Sequence, residues 1–530
     1  MTNKLYLKTI SLATAAAISV SLFAGCGSKK DSKATDTGAD KGAVTTDSNK
    51  VSDKPIEFSI LMPGRPEGPI SNDMPVIKEI TKKTNVSFKW EQAPSDDKQY
   101  QEKFNILVAS GDIPDIMING TKDTLNQGGV NGVFEPLNSY IDKYMPNVKK
   151  KLQEKDALKS ITNDDGKVYY LARLTAVKTN CVFIIRQDWL DKLGLKVPTT
   201  SDEMYNVLKA FKEKDPNGNG KADEIPFTCR GKLTSLSPFI ESFGLFGKDA
   251  FFVEDNKVKY TYTDSRYKNG LEYVNKLFKE KLVDNEYATN DLNIWQSRLT
   301  NGTSGVTYDV FVRAEFLNNI AKKTDPKVNF VGIAPLKNTD GKVQTKDQQN
   351  PLGNGTSISS KSKYKVEIAK FFNWMYSDEG IMVTNFGVEG EHYTMNNGQP
   401  QYTDKIMKDP QKSAATMLFA EGWRDAWPYY TDIRYENAMG TDVQNKMRDE
   451  VAKSIIPNYP NTLTYTDDER KVMTSKYTPI NTYFDEMANK FVMGSEPLSK
   501  FDDFVKKIDQ MGIQDVLKVQ QSSYDRYMKR

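Results

Sequence analysis

Histidine is almost missing from this chain: His392 is the only one in 530 residues. An imidazole-rich zinc centre and a nucleophilic triad built around histidine therefore have little material. Cysteine is nearly as scarce, with Cys26, Cys181 and Cys229 alone. So few thiols build no disulfide framework; Cys181 and Cys229 could bridge outside a cell, but two unbridged thiols is the blander reading and the one adopted. There is no Gly-x-Ser-x-Gly elbow, no phosphate loop and no His-Glu-x-x-His, which removes three catalytic frameworks. Charge of one sign is lacking too. The formal net charge is +3, or +1 without Lys4 and Lys8, which gives nucleic-acid binding no support.

What is present begins with the first 26 residues. Lys4 and Lys8 precede an apolar run from Ile10 to Phe23, and small residues lead to a cysteine in Leu22-Phe23-Ala24-Gly25-Cys26. This order reads as an export signal over residues 1–25. The run is shorter than the roughly 20 residues that span a bilayer, and polar sequence follows at once. Ser28 to Asp53 holds almost no large apolar side chain and cannot bury enough surface to fold. It reads as the main part of a flexible tether over residues 26–54.

The remaining residues, 55–530, exceed one core and suit at least two lobes. With 38% hydrophobic and 27% charged residues overall, the chain has the material for packed interiors. Ile56, Phe58, Ile60 and Met62 alternate as a strand would, and Val86, Phe88 and Trp90 predict a second. Between them Asp73, Pro75, Val76, Ile77 and Ile80 predict a capped helix. Tyr100, Phe104, Leu107 and Val108 share a helical face before a third strand at Ile116-Met117-Ile118. This β-α-β-α-β start predicts right-handed crossovers over a parallel sheet. Thr200 and Glu203 predict a capping box opening a helix to Lys214. Further helices are expected at Ser265 to Lys281 and Asn290 to Asn301, strands at Gly305 to Val310 and Val328 to Pro335, and helices over the last hundred residues.

One run is chemically specific. Asp215, Asn217 and Asn219 place oxygen side chains at alternate positions, Gly220 allows a sharp turn, and Asp223 and Glu224 close the run. With the Lys221 carbonyl as a backbone donor, this spacing can wrap a structural calcium ion, which needs about 6 to 8 oxygens. Pro226 stands where an EF-hand has its bidentate glutamate, so Glu224 must substitute. The alternative is a polar Asn-Gly turn without metal.

Lys103-Phe104-Asn105-Ile106-Leu107-Val108-Ala109-Ser110-Gly111-Asp112-Ile113-Pro114-Asp115 resembles a helix-to-strand passage of the bacterial extracellular solute-binding proteins of ABC importers. Phe134 to Leu137, Gly166 to Leu171, Ile185 to Gly194, Ile358 to Ser362 and Trp374 to Gly380 are similar to the same family, in the same order. The residues around Cys26 resemble the lipobox of bacterial lipoproteins, with Phe23 where leucine is commonest. The 215–224 run is similar to a loop in large oligosaccharide-binding members, alginate-binding proteins among them. The resemblance implies an α/β, two-lobed periplasmic-binding-protein-like fold of type II, each lobe a sheet flanked by helices, with the ligand cleft between them. The first lobe would take about 55–175 and parts of 340–400. The second would take the middle and C-terminal segments.

It also implies a lipid anchor at Cys26 on the outside of the cytoplasmic membrane, the cell surface in a single-membrane bacterium. The partners would be an oligosaccharide ligand and membrane permease subunits, and the protein would be a monomer that performs no chemistry. Ligands of open sheets sit beyond the carboxyl ends of strands, which points to Arg65, Asn119 and Asp309. Sugars need flat aromatic walls beside hydrogen-bonding groups, which points to Trp295 and to Trp423, Arg424, Trp427 and Tyr429 near Gly422 and Pro428. Each could instead be ordinary loop or core. Trp374 reads as packing, and a lone His392 as structural. Two other classes remain open: a calcium-dependent surface glycosidase or polysaccharide lyase, whose paired acids could hide among 70 acidic residues, and a peptide receptor of similar build.

Overall fold

The alternating run at Ile56–Met62 forms an inner strand of a five-stranded sheet, next to its edge, in a computed structural model. The model describes residues 50–65, 68–155, 157–176, 181–244, 250–346, 354–409, 412–457, 459–460 and 462–530. The export signal, Cys26 and the tether up to residue 49 lie outside the described residues. The strand order is Val86–Gln92, Ile56–Met62, Ile116–Thr121, Asn354–Ile358, Leu171–Ala172. Ile56–Met62 runs parallel to both neighbours, with Ile56 opposite Val86 and Ile60 opposite Ile116. Asn354–Ile358 is antiparallel to its two neighbours.

Crossover helices Pro75–Thr84 and Asp97–Ser110 cover this sheet. Pro75 opens the first without a side-chain cap, so Asp73 is not the cap expected of it; the Val76 amide donates instead to the Glu421 carbonyl at 3.0 Å. Gly111, in the left-handed region at φ 66°, ends the second and donates to the Leu107 and Val108 carbonyls. Phe58, Ile60, Phe104, Ile116, Met117 and Phe371 lie in one core, which takes residues from Val51 to Leu174 and from Ile358 to Tyr430.

The second sheet has the order Phe330–Ile333, Cys181–Arg186, Ser304–Val310, Ile225–Phe227. Ser304–Val310 is antiparallel to Cys181–Arg186 and parallel to Ile225–Phe227. Phe183 and Ile185 point to one face, packed with Phe211, Phe227, Leu271 and Phe484. Val182 and Ile184 point to the other, with Trp295, Leu299, Phe330 and Val451. Strict alternation along one strand thus feeds two cores.

The chain passes between the first core and the second sheet's cores after Leu174, between Leu336 and Ile358, and between Tyr430 and Val451. The helix Ile513–Lys529 joins them again. Its start, Ile513 and Val516, is second-lobe core. Farther along, Tyr527 meets Ser160 at 3.2 Å, and Arg530 donates to the Thr162 carbonyl at 2.6 Å. Among the described residues no helix is long and apolar enough to cross a membrane.

The helix Ser201–Glu213 begins one hydrogen bond differently from the capping-box pattern. Thr200 Oγ1 accepts from the Glu203 amide at 3.2 Å, but the Glu203 carboxylate turns to Thr199, whose amide and hydroxyl donate at 2.7 and 2.8 Å. Thr199 offers two donors where the Thr200 amide offers one.

Candidate functional site

Strand ends of the first sheet define a cavity of about 500 Å³. Pro63, Gly64 and Arg65 follow Ile56–Met62, Asn119 lies near the end of its strand, and Asn354, Gly355 and Thr356 belong to the antiparallel neighbour. Ser95, Asp97, Arg173, Asp425 and Ala426 complete the lining. Arg65 forms an ion pair with Asp425, and its guanidinium carbon lies 4.4 Å from the Phe419 ring centre. Arg173 Nη1 donates to the Asp425 carbonyl at 3.1 Å. Asn354 Nδ2 donates to Asn119 Oδ1 at 3.1 Å, and Asn119 holds φ 63° while its carbonyl accepts from Gln101. A Cβ on Gly64 would stand 2.2 Å from the Ala93 carbonyl oxygen, so only glycine lets the two loops meet here.

Arg65 and Asn119 therefore come together. Asp425, two residues from Trp423 in the chain, is the ion-pair partner of Arg65. Arg173 and Asn354 carried no sequence signal beyond lying near strands.

The aromatic residues expected to wall the ligand are placed elsewhere, and the described lining of this cavity contains no aromatic side chain. Trp427 is 2% exposed, with its ring centre 5.5 Å from that of Phe88 and 6.1 Å from that of Phe371. Trp423 stacks on Tyr435 at 5.7 Å, and Tyr429 is buried. Arg424 is buried and donates to the Phe419 and Trp423 carbonyls at 2.6 and 2.7 Å, holding the end of helix Ala414–Ala420. These four support the loop that carries Asp425 from within. Trp295 is wholly buried in the second lobe, its Nε1 donating to Thr307 Oγ1 at 2.8 Å. Trp374 is packed as expected.

Asp309 stands at the carboxyl end of Ser304–Val310, an inner strand of the second sheet. Arg230 grips it with Nε at 2.9 Å and Nη2 at 2.8 Å. The Arg230 and Arg313 guanidinium carbons lie 5.2 and 5.8 Å from the Trp295 ring centre. Burial lowers the pKa of Arg313; Asp309 opposes that shift and Arg230 adds to it. No sequence motif marks either arginine.

The acidic loop joins helix Ser201–Glu213 to strand Ile225–Phe227. Asp215 Oδ1 accepts from the Gly218 and Asn219 amides at 2.8 and 3.1 Å, and its Oδ2 from Gly220 at 3.0 Å. Asn217 and Asn219 both donate to Asp223. Lys221 donates its amide to Asn219 Oδ1 at 2.7 Å. Glu224 is 9% exposed, and neither of its oxygens has a hydrogen bond of normal geometry. Burial raises its pKa, and the charges of Asp215 and Asp223 push the same way. An orphaned buried carboxylate beside two further acids fits a divalent cation.

His392 is fully buried. Its Nδ1 accepts from the Val388 amide at 3.0 Å, so the neutral ring carries its proton on Nε2, 3.2 Å from Glu421. Burial lowers its pKa. Lys405 already bridges Glu391 and Glu421 at 2.8 and 2.9 Å, so the cluster has its counter-charge.

Cys181 and Cys229 are not bonded to one another.

Two α/β lobes with a polar cavity beyond the strand ends define a binding protein of the two-lobed, periplasmic type. The chain belongs to the bacterial extracellular solute-binding protein family, whose model matches residues 69–382. It is 28% identical over 556 aligned residues, covering 99% of both chains, to the fructooligosaccharide ABC transporter substrate-binding protein FusA of Streptococcus pneumoniae. It is 30% identical to the lipoprotein LipO of Bacillus subtilis over 66% of this chain and 70% of that one. Among solved structures, the alginate-binding protein AlgQ2 without calcium ion superposes with a TM-score of 0.75 at 29% identity, covering 90% of this chain and 99% of the other.

Proposed function

We propose that this chain is the substrate-capturing component of an ABC importer. It takes an oligosaccharide into the cleft and hands it unaltered to membrane permease subunits. The observation that carries this is the first-lobe cavity, whose Arg65, Asn119, Arg173, Asp425 and Asn354 offer donors and acceptors of the kind sugar hydroxyls need. The likeness to FusA over nearly the whole of both chains supports a carbohydrate ligand. With no aromatic side chain in the described cavity lining, hydrogen bonds dominate recognition on the first-lobe wall.

A lipid at Cys26, on the outer side of the cytoplasmic membrane, would hold the protein near its permease, and the likeness to LipO supports that address. The working form is a monomer. Calcium would be held by Asp215, Asn217, Asn219, Asp223, Glu224 and the Lys221 carbonyl. When bound it would supply counter-charge to the acids and brace the amino end of strand Ile225–Phe227. Arg230 follows the carboxyl end of that strand, so the ion is structural and takes no part in ligand contact.

Mass spectrometry of ligand co-purified with the protein, followed by calorimetry with glycan and peptide panels, tests the reading. An oligosaccharide recovered intact is expected. New reducing ends or unsaturated sugars would replace the receptor by an enzyme, and peptide-only binding would replace the ligand class.

A further inference from the structure

Beyond the first-lobe cavity, the second lobe carries a shelf of two arginines served by a single carboxylate of its own, Asp309. Strands Ile225–Phe227 and Ser304–Val310 are parallel neighbours. Arg230 lies three residues past the end of the first and Arg313 three past the end of the second, where open sheets hold their ligands. Val310 pairs with Cys181, the first described residue after the crossing from the first lobe. The shelf therefore stands at the end of the sheet from which the chain leaves for the other wall.

Arg230 and Arg313 share one near carboxylate, Asp309, and Arg230 takes it with a two-pronged grip. Among the described residues no carboxylate lies within ion-pair distance of Arg313. Its guanidinium carbon is 5.8 Å from the Trp295 ring centre and 5.0 Å from that of Phe316, and its buried Nε has no hydrogen bond. The terminal nitrogens of Arg313 and the Nη1 of Arg230 make no hydrogen bond to described residues, and they are not among the buried orphan atoms. They thus remain within reach of an incoming group. Arg313 is also the first residue of helix Arg313–Ala321, whose amino end adds partial positive charge. Ring faces offset a guanidinium only in part. A half-buried arginine without an anion is costly, and a planar fork of donors is matched best by a carboxylate.

We infer that Arg313 and Arg230 form a subsite for an anionic group on the sugar, a uronate carboxylate by geometry, so that the captured oligosaccharide is acidic. This rests on the glycan-receptor reading and names the charge of its ligand. Trp295 is the positioning residue beneath both guanidinium groups, and Asp309 keeps Arg230 in place.

The test is calorimetry with the mature protein and six probes. These are tetragalacturonate, its carboxyl-reduced neutral counterpart, a sulfated tetrasaccharide, and neutral fructo-, manno- and xylo-oligosaccharides. An acidic probe is expected to bind at least tenfold more tightly than any neutral one, with affinity falling as salt rises. A sulfated probe that outbinds the uronate would keep the anionic subsite and change its source. Arg313→Gln is expected to cut acidic-glycan affinity at least tenfold and neutral-glycan affinity less than threefold. Arg313→Lys, which keeps the charge and loses the fork, should fall between. Neutral glycans binding as well as acidic ones, with Arg313→Gln without effect in a folded protein, would overturn the inference and leave the receptor standing. Binding of no glycan by the wild type would overturn both.

Discussion

At the scale of single residues, the most informative side chain is Glu224, buried beside Asp215 and Asp223 with its pKa raised. A carboxyl whose folded pKa lies above its unfolded value contributes stability below the unfolded pKa and loses it as pH rises through the folded value. Without metal, the protein should lose stability as pH rises above the usual glutamate range, and Glu224→Gln should remove that loss. Calcium should reverse it in the wild type alone, raising Tm by several degrees in a melt that chelator undoes and that Glu224→Gln does not show. Arg65 makes a second residue-level case. Its pair with Asp425 is about one-third exposed on each side, so Arg65→Ala should cost stability about 0–1 kcal/mol. The same change should weaken glycan binding about 10- to 100-fold by calorimetry, because it removes charged hydrogen bonds to the ligand. Oxygen spacing made the 215–224 loop legible in the sequence, since its geometry is local. The grip of Arg230 on Asp309 was not, because 79 residues separate the two and only the fold brings them together.

At the scale of elements, the sheet starts were legible and the burial of loop aromatics was not. Ile56 to Met62 alternates because one strand presents two faces, and Gly111 announces a stop because few other residues adopt its φ. Gly422 and Pro428 did mark a loop. Whether Trp423 and Trp427 then turn outward or inward is decided by Tyr435, Phe88 and Phe371, which come from other parts of the chain. The helix Ile513–Lys529 is a further case: its pattern predicts a helix, but not that it ties two lobes together. Asp164 accepts from Thr464 Oγ1 at 2.6 Å and pairs with Arg530 and Arg526. Asp164→Ala should destabilise by about 1–2 kcal/mol in urea melts, since donors lose their acceptor at a partly exposed site. Close by, Lys122 is buried and donates to the Leu463 carbonyl at 2.9 Å, and burial lowers its pKa to about 7. The unfolded chain then binds the extra proton between about pH 7 and the ordinary lysine value near 10.5, so stability should rise with pH across that window. In Lys122→Met the rise should flatten, as measured by melts between these limits.

At the scale of the molecule, cores on either side of repeated crossings describe a body whose parts can turn about the connecting segments. A ligand held by both walls biases that motion by its extra contacts in the shut form. X-ray scattering should show the radius of gyration falling when ligand saturates the protein and recovering on dialysis. Asp164→Ala should keep both states and change the ligand concentration needed to reach the shut one. The need for more than one lobe followed from length alone, because a single core cannot grow to this size. Which segments share a lobe depended on the returns after Leu336 and Tyr430, and no local pattern encodes such returns.

Cys181, half-buried, opens the second sheet's first strand beside a crossing, whereas Cys229 is wholly buried and its thiol is pushed up to about 12. Alkylating dyes seek thiolates they can reach, so in the folded body a fluorophore would settle at position 181. Attached there, next to the turning point, its colour or brightness would report occupancy of the cleft, and the protein would serve as a reagentless sugar sensor without an engineered handle.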